Sequence, residues 1–299
     1  MRALVTGAGG FVGPHLCAHL RASGDDVIDP GNDMSGGFDI TDRDTVERAL
    51  AKHRPEVVYH LAARSDVAAS WREPSHFLRV NVEGTQHVLD AARTAGVQRV
   101  LVVGSAEEYG RVDPADLPLR EDAPLRPITP YGASKVAASY LALQAWLGAG
   151  LETIRVRPFS HSGPGQTNTF LLPALAGRIV AAERDGTDAI ATGALDPVRD
   201  LSDVRDVVRA YRLLMQHGTP GEVYNVCTGV GVSVRDIVLR LVARANRPVR
   251  VETDPALLRP VEVPTLVGDP TKLRAATGWS PEHTLDDTLD AVLADARAH

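Results

Sequence analysis

The stretch Ala3-Leu4-Val5-Thr6-Gly7-Ala8-Gly9-Gly10-Phe11-Val12-Gly13 decides the fold of this chain. It begins with a short apolar run and ends where the helical pattern of 12–22 opens. Glycines at three-residue spacing permit a tight turn and leave backbone amides free at the positively polarised start of a helix. The stretch therefore predicts a loop that binds the pyrophosphate of a dinucleotide.

Short apolar runs alternate with helical patterns through the first half of the chain. The strand-like runs are 3–6, 57–61, 99–103 and 153–156, and helical spacing covers 12–22, 41–53, 81–95 and 131–147. This alternation predicts βαβ units with right-handed crossovers and a parallel sheet buried on both faces. The expected fold class is α/β, with a doubly wound parallel Rossmann sheet and a smaller mixed α/β substrate domain.

The pattern loosens after residue 158. Residues 160–168 are rich in Gly, Ser and Pro, and helical patterns recur at 170–184, 203–216, 234–245 and 284–298. We expect a dinucleotide-binding Rossmann domain over 1–158, to which 200–228 return. The substrate-binding domain would comprise 159–199 and 229–299 and cover the carboxyl edge of the sheet, where open α/β sheets bind ligands.

Composition limits the classes of partner. Hydrophobic residues are 44% and charged residues 23% of the 299 residues, as in globular proteins. The net charge of -6 gives no reason to expect nucleic acid or an anionic membrane as partner. Cys17 and Cys227 lie in apolar contexts. We expect both to be buried, reduced thiols, and the protein to be cytoplasmic.

The segment Tyr131-Gly132-Ala133-Ser134-Lys135 places a phenol and an ammonium on one face of a predicted helix. Lysine is rare here, because only Lys52, Lys135 and Lys272 occur among 32 basic residues. A nearby cation lowers the pKa of a tyrosine and makes it a better proton-transfer group. We therefore predict that Tyr131 and Lys135 are catalytic; the alternative is a tyrosine packed against a lysine stem.

Ser105 lies just after the predicted strand 99–103, within Gly104-Ser105-Ala106-Glu107-Glu108-Tyr109-Gly110. A hydroxyl at the carboxyl end of this strand could hydrogen-bond an oxygen that is being reduced or oxidised. Ser105 is therefore a third candidate catalytic residue.

The glycine loop and these motifs resemble the extended short-chain dehydrogenase/reductase family. The resemblance implies a catalytic triad of Ser105, Tyr131 and Lys135, with Glu107 in the slot where the family's 4,6-dehydratases hold an acidic group. It implies that Asp39 and Ile40 meet the adenine ring and that residues 61–63 run beneath the cofactor. The predicted cofactor-binding residues are Gly7, Gly10, Phe11, Val12, Gly13, Asp29, Asp39, Ile40, Leu61, Ala62, Ala63, Tyr131 and Lys135.

The end of the second predicted strand, 26–28, bears on the choice of cofactor. Asp29 and Asp33 bracket the position expected to bind the adenosine ribose. An acidic residue there favours the free 2′-hydroxyl of NAD, and no Arg lies between Arg21 and Arg43 to hold a 2′-phosphate. We predict NAD(H), with NADP(H) as the alternative, and no metal.

The second half resembles the GDP-6-deoxy-D-mannose reductases in the runs 157–166, 198–200, 224–229 and 258–264. The resemblance implies a GDP-linked nucleotide-diphosphate sugar as substrate and reduction of its 4-keto group, from GDP-4-keto-6-deoxy-D-mannose to GDP-D-rhamnose. Arg199 and Arg259 would hold the diphosphate, and Glu262 the ribose hydroxyls. Phe170 would lie near the base. Ser160, which replaces the usual Asn, and His161 are the remaining predicted substrate contacts.

Other functions share the predicted triad. The alternatives are a GDP-mannose 4,6-dehydratase, a nucleotide-sugar 4-epimerase and, from another class, a non-catalytic dinucleotide-sensing protein. Ala106 departs from the Asp or Ser of many dehydratases, and residues 164–168 lack the Arg pair usual in that family. The family resemblance also implies a homodimer that pairs through the helices at 81–95 and 131–147.

Overall fold

The computed structural model describes residues 1–33, 37–258 and 263–299. Its strands are β1 (Arg2–Thr6), β2 (Asp26–Ile28), β3 (Val57–His60), β4 (Arg99–Val103), β5 (Glu152–Pro158), β6 (Ser160–Ser162), β7 (Ala189–Thr192), β8 (Val198–Asp203), β9 (Val223–Val226), β10 (Gly231–Ser233), β11 (Arg250–Thr253) and β12 (Thr265–Leu266). Its α-helices are α1 (Val12–Ala22), α2 (Pro30–Asp33), α3 (Arg43–His53), α4 (Val67–Arg72), α5 (Pro74–Leu78), α6 (Gly84–Thr94), α7 (Pro130–Ala149), α8 (Leu171–Asp185), α9 (Val204–His217), α10 (Val234–Val242), α11 (Thr271–Thr277) and α12 (Leu285–Ala298). A π-helical turn (Arg79–Glu83) joins α5 to α6, and 3-10 turns cover Ala106–Glu108, Pro114–Asp116 and Pro255–Leu257.

A six-stranded sheet in the order β2-β1-β3-β4-β5-β9 forms the centre of the molecule. Every neighbouring pair in it is parallel. After β1 the chain adds β2 on one side of it and then β3 on the other side. The strand order therefore reverses between β1 and β3. The glycine loop follows β1 at this switch point, where doubly wound sheets bind ligands. The predicted fold class is confirmed.

Helices cover both faces of this sheet. Alternate residues of β1 point to opposite sides, because Val5 joins a core formed with α1, α9 and α11, whereas Leu4 joins one formed with α3, α6 and α7. A strand buried on both faces needs apolar residues at successive positions, which explains the continuous apolar runs in the sequence.

The remaining strands form a separate, mixed layer. Strands β10, β8 and β12 pair side by side, β6 adds to β8, and β11 pairs with β7. A third core packs α8, α10 and α12 together with β7 and β11. The segment 160–168, expected to be irregular, contains β6, because its backbone pairs with residues Leu201 to Asp203 of β8 far along the chain. Helix α9 and strand β9 then return the chain to the central sheet.

The predicted helix at 81–95 is wrong at its start. Helical structure begins at Pro74, whose ring suits the first turn of a helix, and continues through the π-helical turn into α6. Both cysteines are free and buried, as expected. Within the described residues, no helix is both long and apolar enough to cross a membrane.

Candidate active site

The glycine loop connects β1 to α1 by a tight turn. The Gly10 N–H donates to the Gly7 carbonyl (3.0 Å), and Gly7 has φ of +72°, in the left-handed region. A Cβ at Gly7 would lie 2.7 Å from the Ala62 nitrogen, so only glycine fits there. The loop therefore presses against residues 61–62, the segment predicted to run beneath the cofactor.

The start of α1 suits an anionic ligand. Its N-cap residue, Phe11, makes no side-chain capping bond, and the first turn carries no acidic residue. Gly9 and Gly10 are exposed beside it. The first amides of a helix lack internal partners and attract negative charge. These residues fit a dinucleotide pyrophosphate.

A buried hydrogen-bond network fixes the strand ends below the loop. Thr85 Oγ1 donates to the Asn81 carbonyl (2.6 Å), so the His60 Nε2–H donates to Thr85 Oγ1 (3.0 Å). His60 Nδ1 then accepts from Thr6 Oγ1 (2.8 Å), and Thr6 Oγ1 accepts from the Ala62 N–H (3.2 Å). Burial lowers the pKa of His60 to about 3, which keeps this ring neutral. The segment beneath the predicted cofactor is thus held without charge.

The adenosine end of the predicted site is less enclosed. Asp29 follows β2, is half-buried and accepts from the Gly31 N–H (2.9 Å). Asp39 is exposed and accepts from the backbone and hydroxyl of Thr41, while Ile40 is buried in the core. The Asp33 side chain lies outside the described part of the structure.

The three predicted catalytic residues lie together at the carboxyl edge of the sheet. Ser105 follows β4 and caps the 3-10 turn, where its hydroxyl accepts from the Glu107 N–H (3.1 Å). Tyr131, in the first turn of α7, is hydrogen-bonded to the Ser105 side chain. The Lys135 ammonium donates to the Val103 carbonyl (2.8 Å). All three are buried, with exposed fractions of 5 to 8%.

The predicted pKa shift of Tyr131 has the wrong direction. Burial raises the pKa of the phenol, the Glu107 and Glu108 carboxylates raise it further, and only the Ser105 hydrogen bond lowers it. The Lys135 ammonium is bound to Val103 instead, and burial lowers the pKa of Lys135 to about 8. Tyr131 is consequently protonated at neutral pH, the form that a proton donor requires.

Asn81 is a site residue that sequence reasoning missed. It lies in the π-helical turn, 1% exposed, and its side chain bonds both the N–H and the carbonyl of Arg64 (2.8 and 3.0 Å). It also donates to Ser134 Oγ (2.9 Å), which donates to the Tyr131 carbonyl (2.7 Å). In the sequence, the signal for this role was a polar residue at the start of the predicted helix 81–95. π-Helical turns are frequent at functional sites.

The predicted substrate segment lies against the glycine loop. The His161 ring stacks on Phe11, with centroids 6.0 Å apart and an interplanar angle of 11°. Its Nδ1–H donates to the Phe159 carbonyl (2.9 Å), and burial lowers the pKa of His161. His15 Nε2 of α1 donates to the Pro164 carbonyl (2.9 Å). The predicted cofactor-binding segment, through Phe11 and His15, therefore contacts the predicted substrate segment at His161 and Pro164.

The other predicted substrate residues are more dispersed. Ser160 is half-buried in β6, and Phe170 is the N-cap residue of α8. Arg199, in β8, donates to the carbonyls of Val198 and Val263 (both 2.9 Å). Arg259 and Glu262 fall outside the described residues.

A doubly wound sheet, an uncapped glycine-loop helix and a buried Ser-Tyr-Lys group define an NAD(P)-dependent enzyme of the extended short-chain dehydrogenase/reductase type. The chain belongs to the GDP-mannose 4,6 dehydratase family, whose model matches residues 35–292. The predicted family resemblance is confirmed.

Several proteins resemble the chain over its whole length. GDP-6-deoxy-D-mannose reductase of Pseudomonas aeruginosa is 36% identical over 98% of this chain and 96% of that protein. The structure of RMD from Pseudomonas aeruginosa complexed with NADPH has a TM-score of 0.92 at 32% identity, covering 100% and 99% of the two chains. Thermus thermophilus UDP-glucose 4-epimerase complexed with NAD has a TM-score of 0.85 at 28% identity, covering 99% of each. Use of NAD(P)(H) is confirmed, and the preference for NAD(H) stays a prediction.

Replacing Gly7 with Ala should weaken cofactor binding, since the new Cβ would strike the Ala62 backbone. We expect the Kd for NADH and NADPH, measured by fluorescence titration, to rise by about tenfold or more. Gly24 is the matched control, because its φ is +81° and a Cβ there meets nothing within 4 Å. Gly24→Ala should cost roughly 1–2 kcal/mol in backbone strain and leave the Kd unchanged. Equal Kd values for both variants would contradict this account of the loop.

Proposed function

We propose that this protein reduces the 4-keto group of GDP-4-keto-6-deoxy-D-mannose to give GDP-D-rhamnose, using NAD(P)H. The observation that carries the proposal is the 36% identity to a GDP-6-deoxy-D-mannose reductase over 98% of the chain, in a protein that buries Ser105, Tyr131 and Lys135 at the carboxyl edge of its sheet. The preferred cofactor is NADH, on the evidence of Asp29 beside the second strand.

The chemistry needs one hydride and one proton. The reduced nicotinamide, when bound, supplies the hydride to C4 of the sugar. Tyr131 donates its phenolic proton to the carbonyl oxygen, and the Ser105 hydroxyl hydrogen-bonds that oxygen as negative charge develops on it. Lys135 donates to the Val103 carbonyl and so fixes α7, which carries Tyr131, relative to the strand end that precedes Ser105. The raised pKa of Tyr131 favours this acid role over that of a base.

The substrate would lie against the stacked rings of His161 and Phe11. Arg199 and Arg259 would bind the diphosphate through fork-like hydrogen bonds, Glu262 the ribose, and Phe170 the base. Ser160 and His161 would contact the sugar end, and Glu107 lies beside the phenol. The proposed binding unit is 159–199 with 229–299, and the proposed dinucleotide unit is 1–158 with 200–228.

Two observations favour reduction over dehydration. Ala106 is buried and apolar in the turn that carries Glu107, and residues 164–168 contain no Arg. A dehydratase oxidises C4, eliminates water across C5 and C6 and returns the same hydride, so it needs an acid at C6 and a retained cofactor. A 4-epimerase also returns its hydride. A non-catalytic dinucleotide sensor has no use for the triad.

Incubation with each substrate separately should identify the reaction. We expect one NAD(P)H consumed per GDP-4-keto-6-deoxy-D-mannose, with a product two mass units heavier, and a higher kcat/KM with NADH than with NADPH. GDP-mannose with NAD(P)+ should give no 4-keto product. Loss of water from GDP-mannose without net change in cofactor would identify a dehydratase. Interconversion of C4 epimers at constant mass would identify an epimerase.

Replacing Tyr131 with Phe tests the proton donor. We expect kcat to fall by roughly 10²–10⁴, since the ring stays in place and only the acidic hydroxyl is lost, while the Kd for cofactor stays nearly constant. Tyr59→Phe is the control, because within the described structure that buried hydroxyl has no hydrogen-bond partner. Retention of more than a tenth of the wild-type rate by Tyr131→Phe would rule out this role.

We further propose a cytoplasmic homodimer. The two unpaired, buried thiols suit a reducing compartment. Helix α7 leaves Tyr140 and Leu147 exposed by 54 and 72%, one above the other at a spacing of seven residues. A second copy of the chain would cover this face through α6 and α7.

Replacing Leu147 with Asp should separate the dimer, because a carboxylate would have to be buried in the apolar contact. We expect sedimentation at micromolar concentration to show a dimer for the wild type and a monomer for Leu147→Asp. Leu239→Asp, on α10 and 54% exposed, is the matched control and should stay dimeric. A monomeric wild type would disprove the proposed assembly.

A further inference from the structure

Glu108 is a buried carboxylate directly behind the candidate catalytic residues. It ends the 3-10 turn that Ser105 begins, and its side chain is 0% exposed. Its partner is Arg157 of β5, 4% exposed, whose Nε donates to Glu108 Oε2 (2.8 Å). Burying an ion pair removes the hydration of both charges, which is unfavourable unless the pair has a specific use.

The carboxylate binds the backbone that carries the site. The Ser105 N–H donates to Glu108 Oε1 (3.0 Å), and a Cβ on Gly104 would overlap the same oxygen. One residue earlier, the Val103 carbonyl accepts from Lys135 (2.8 Å). The three consecutive residues 103–105 are therefore held by Glu108 and Lys135 together.

Arg157 keeps Glu108 in this position. Its Nη1 donates to Tyr109 Oη (3.1 Å) and to the Glu121 carbonyl (3.0 Å). Its guanidinium lies over the Tyr109 ring at 4.9 Å, and Tyr109 Oη donates to Asn225 of β9 (2.7 Å). The contacts with Tyr109 and Glu121 fix the plane of the guanidinium and thus the carboxylate bound to it.

Charge gives the pair a second role. The charged and titratable groups that interact with Lys135 are Glu108 and His60, and Tyr131 lies one turn before it on α7. His60 and Tyr131 are neutral, and Glu108 is the carboxylate that raises the pKa of Lys135 against burial. Burial raises the pKa of Glu108 overall, although Arg157, Lys135 and the Ser105 N–H each lower it. The Arg157 guanidinium, which stays charged, binds the carboxylate at 2.8 Å and keeps it ionised.

We propose that Glu108, clamped by Arg157, is a positioning residue of this active site. Its carboxylate fixes the backbone from which Ser105 projects and supplies the buried negative charge that keeps Lys135 an ammonium. The kinetic part of this inference rests on the proposed reductase function, whereas the charge part does not.

The rarity of lysine allows a direct test on the full-length protein. Selective 13C labelling at lysine Cε gives signals from only Lys52, Lys135 and Lys272. The signal that is missing from the Lys135→Met variant belongs to Lys135. Glu108→Gln keeps an oxygen for the Ser105 N–H but removes the charge. We expect the titration midpoint of Lys135 to fall by about one unit or more, and the alkaline limb of kcat to move to lower pH. Glu107→Gln is the control and should leave the midpoint unchanged.

Glu108→Asp separates position from charge, because it keeps the carboxylate but shortens its reach. We expect the Lys135 midpoint to stay near the wild-type value while kcat falls by about tenfold or more, with KM little changed. Should the unpaired Arg157 unfold Glu108→Gln, the variant Glu108→Gln with Arg157→Met removes both charges and should still lower the midpoint.

An unchanged Lys135 midpoint in the folded charge-free variant would overturn the charge role. A wild-type kcat in Glu108→Asp would overturn the positioning role. The titration needs no substrate, so failure of the wild type to reduce the 4-keto sugar would reject the proposed function and leave the charge role open to measurement. If the protein acts on another nucleotide-sugar, the kcat values of Glu108→Asp and of the wild type are compared on that reaction.

Discussion

The hydrogen bond from the Lys135 ammonium to the Val103 carbonyl joins helix α7 to the end of a central strand. Moving either partner would leave a buried ammonium or a buried carbonyl without its hydrogen bond. The bond therefore fixes α7 relative to β4. Ser105 lies two residues beyond that carbonyl, and Tyr131 one helical turn before the lysine. This contact therefore sets the distance between Ser105 and the two helical residues, and Glu108 then fixes the backbone of Ser105.

Polar side chains extend this constraint along the sheet edge. The network from Thr6 through His60 and Thr85 reaches the π-helical turn, and Asn81 carries it on to the first turn of α7. Almost every donor and acceptor in it is paired within the protein, which makes such a network rigid in a low-dielectric interior. The strand end before the glycine loop, the segment predicted to lie beneath the cofactor and the start of α7 are thus joined by one hydrogen-bond network.

Proteins similar to this chain are named for different reactions. The matching family is named for a dehydratase, and the similar proteins include a reductase and an epimerase. A Ser-Tyr-Lys group suits hydride transfer at a carbinol carbon in all three reactions, so its presence does not distinguish them. The proposed distinction depends on residues near the predicted catalytic group, such as Ala106 and Glu107, and on whether the cofactor exchanges.

Local sequence patterns by themselves determined the parallel sheet, the glycine loop and the Tyr131–Lys135 pair, because turn geometry and helical spacing are properties of neighbouring residues. The start of the helix before Asn81, the strand β6 and the direction of the Tyr131 pKa shift depended on tertiary structure. Glu108 shows the reason most clearly: beside Glu107 in the sequence it looks equivalent, but its partner Arg157 is 49 residues away. Burial and long-range pairing set the chemistry of a charged side chain, and only the folded chain brings those partners together.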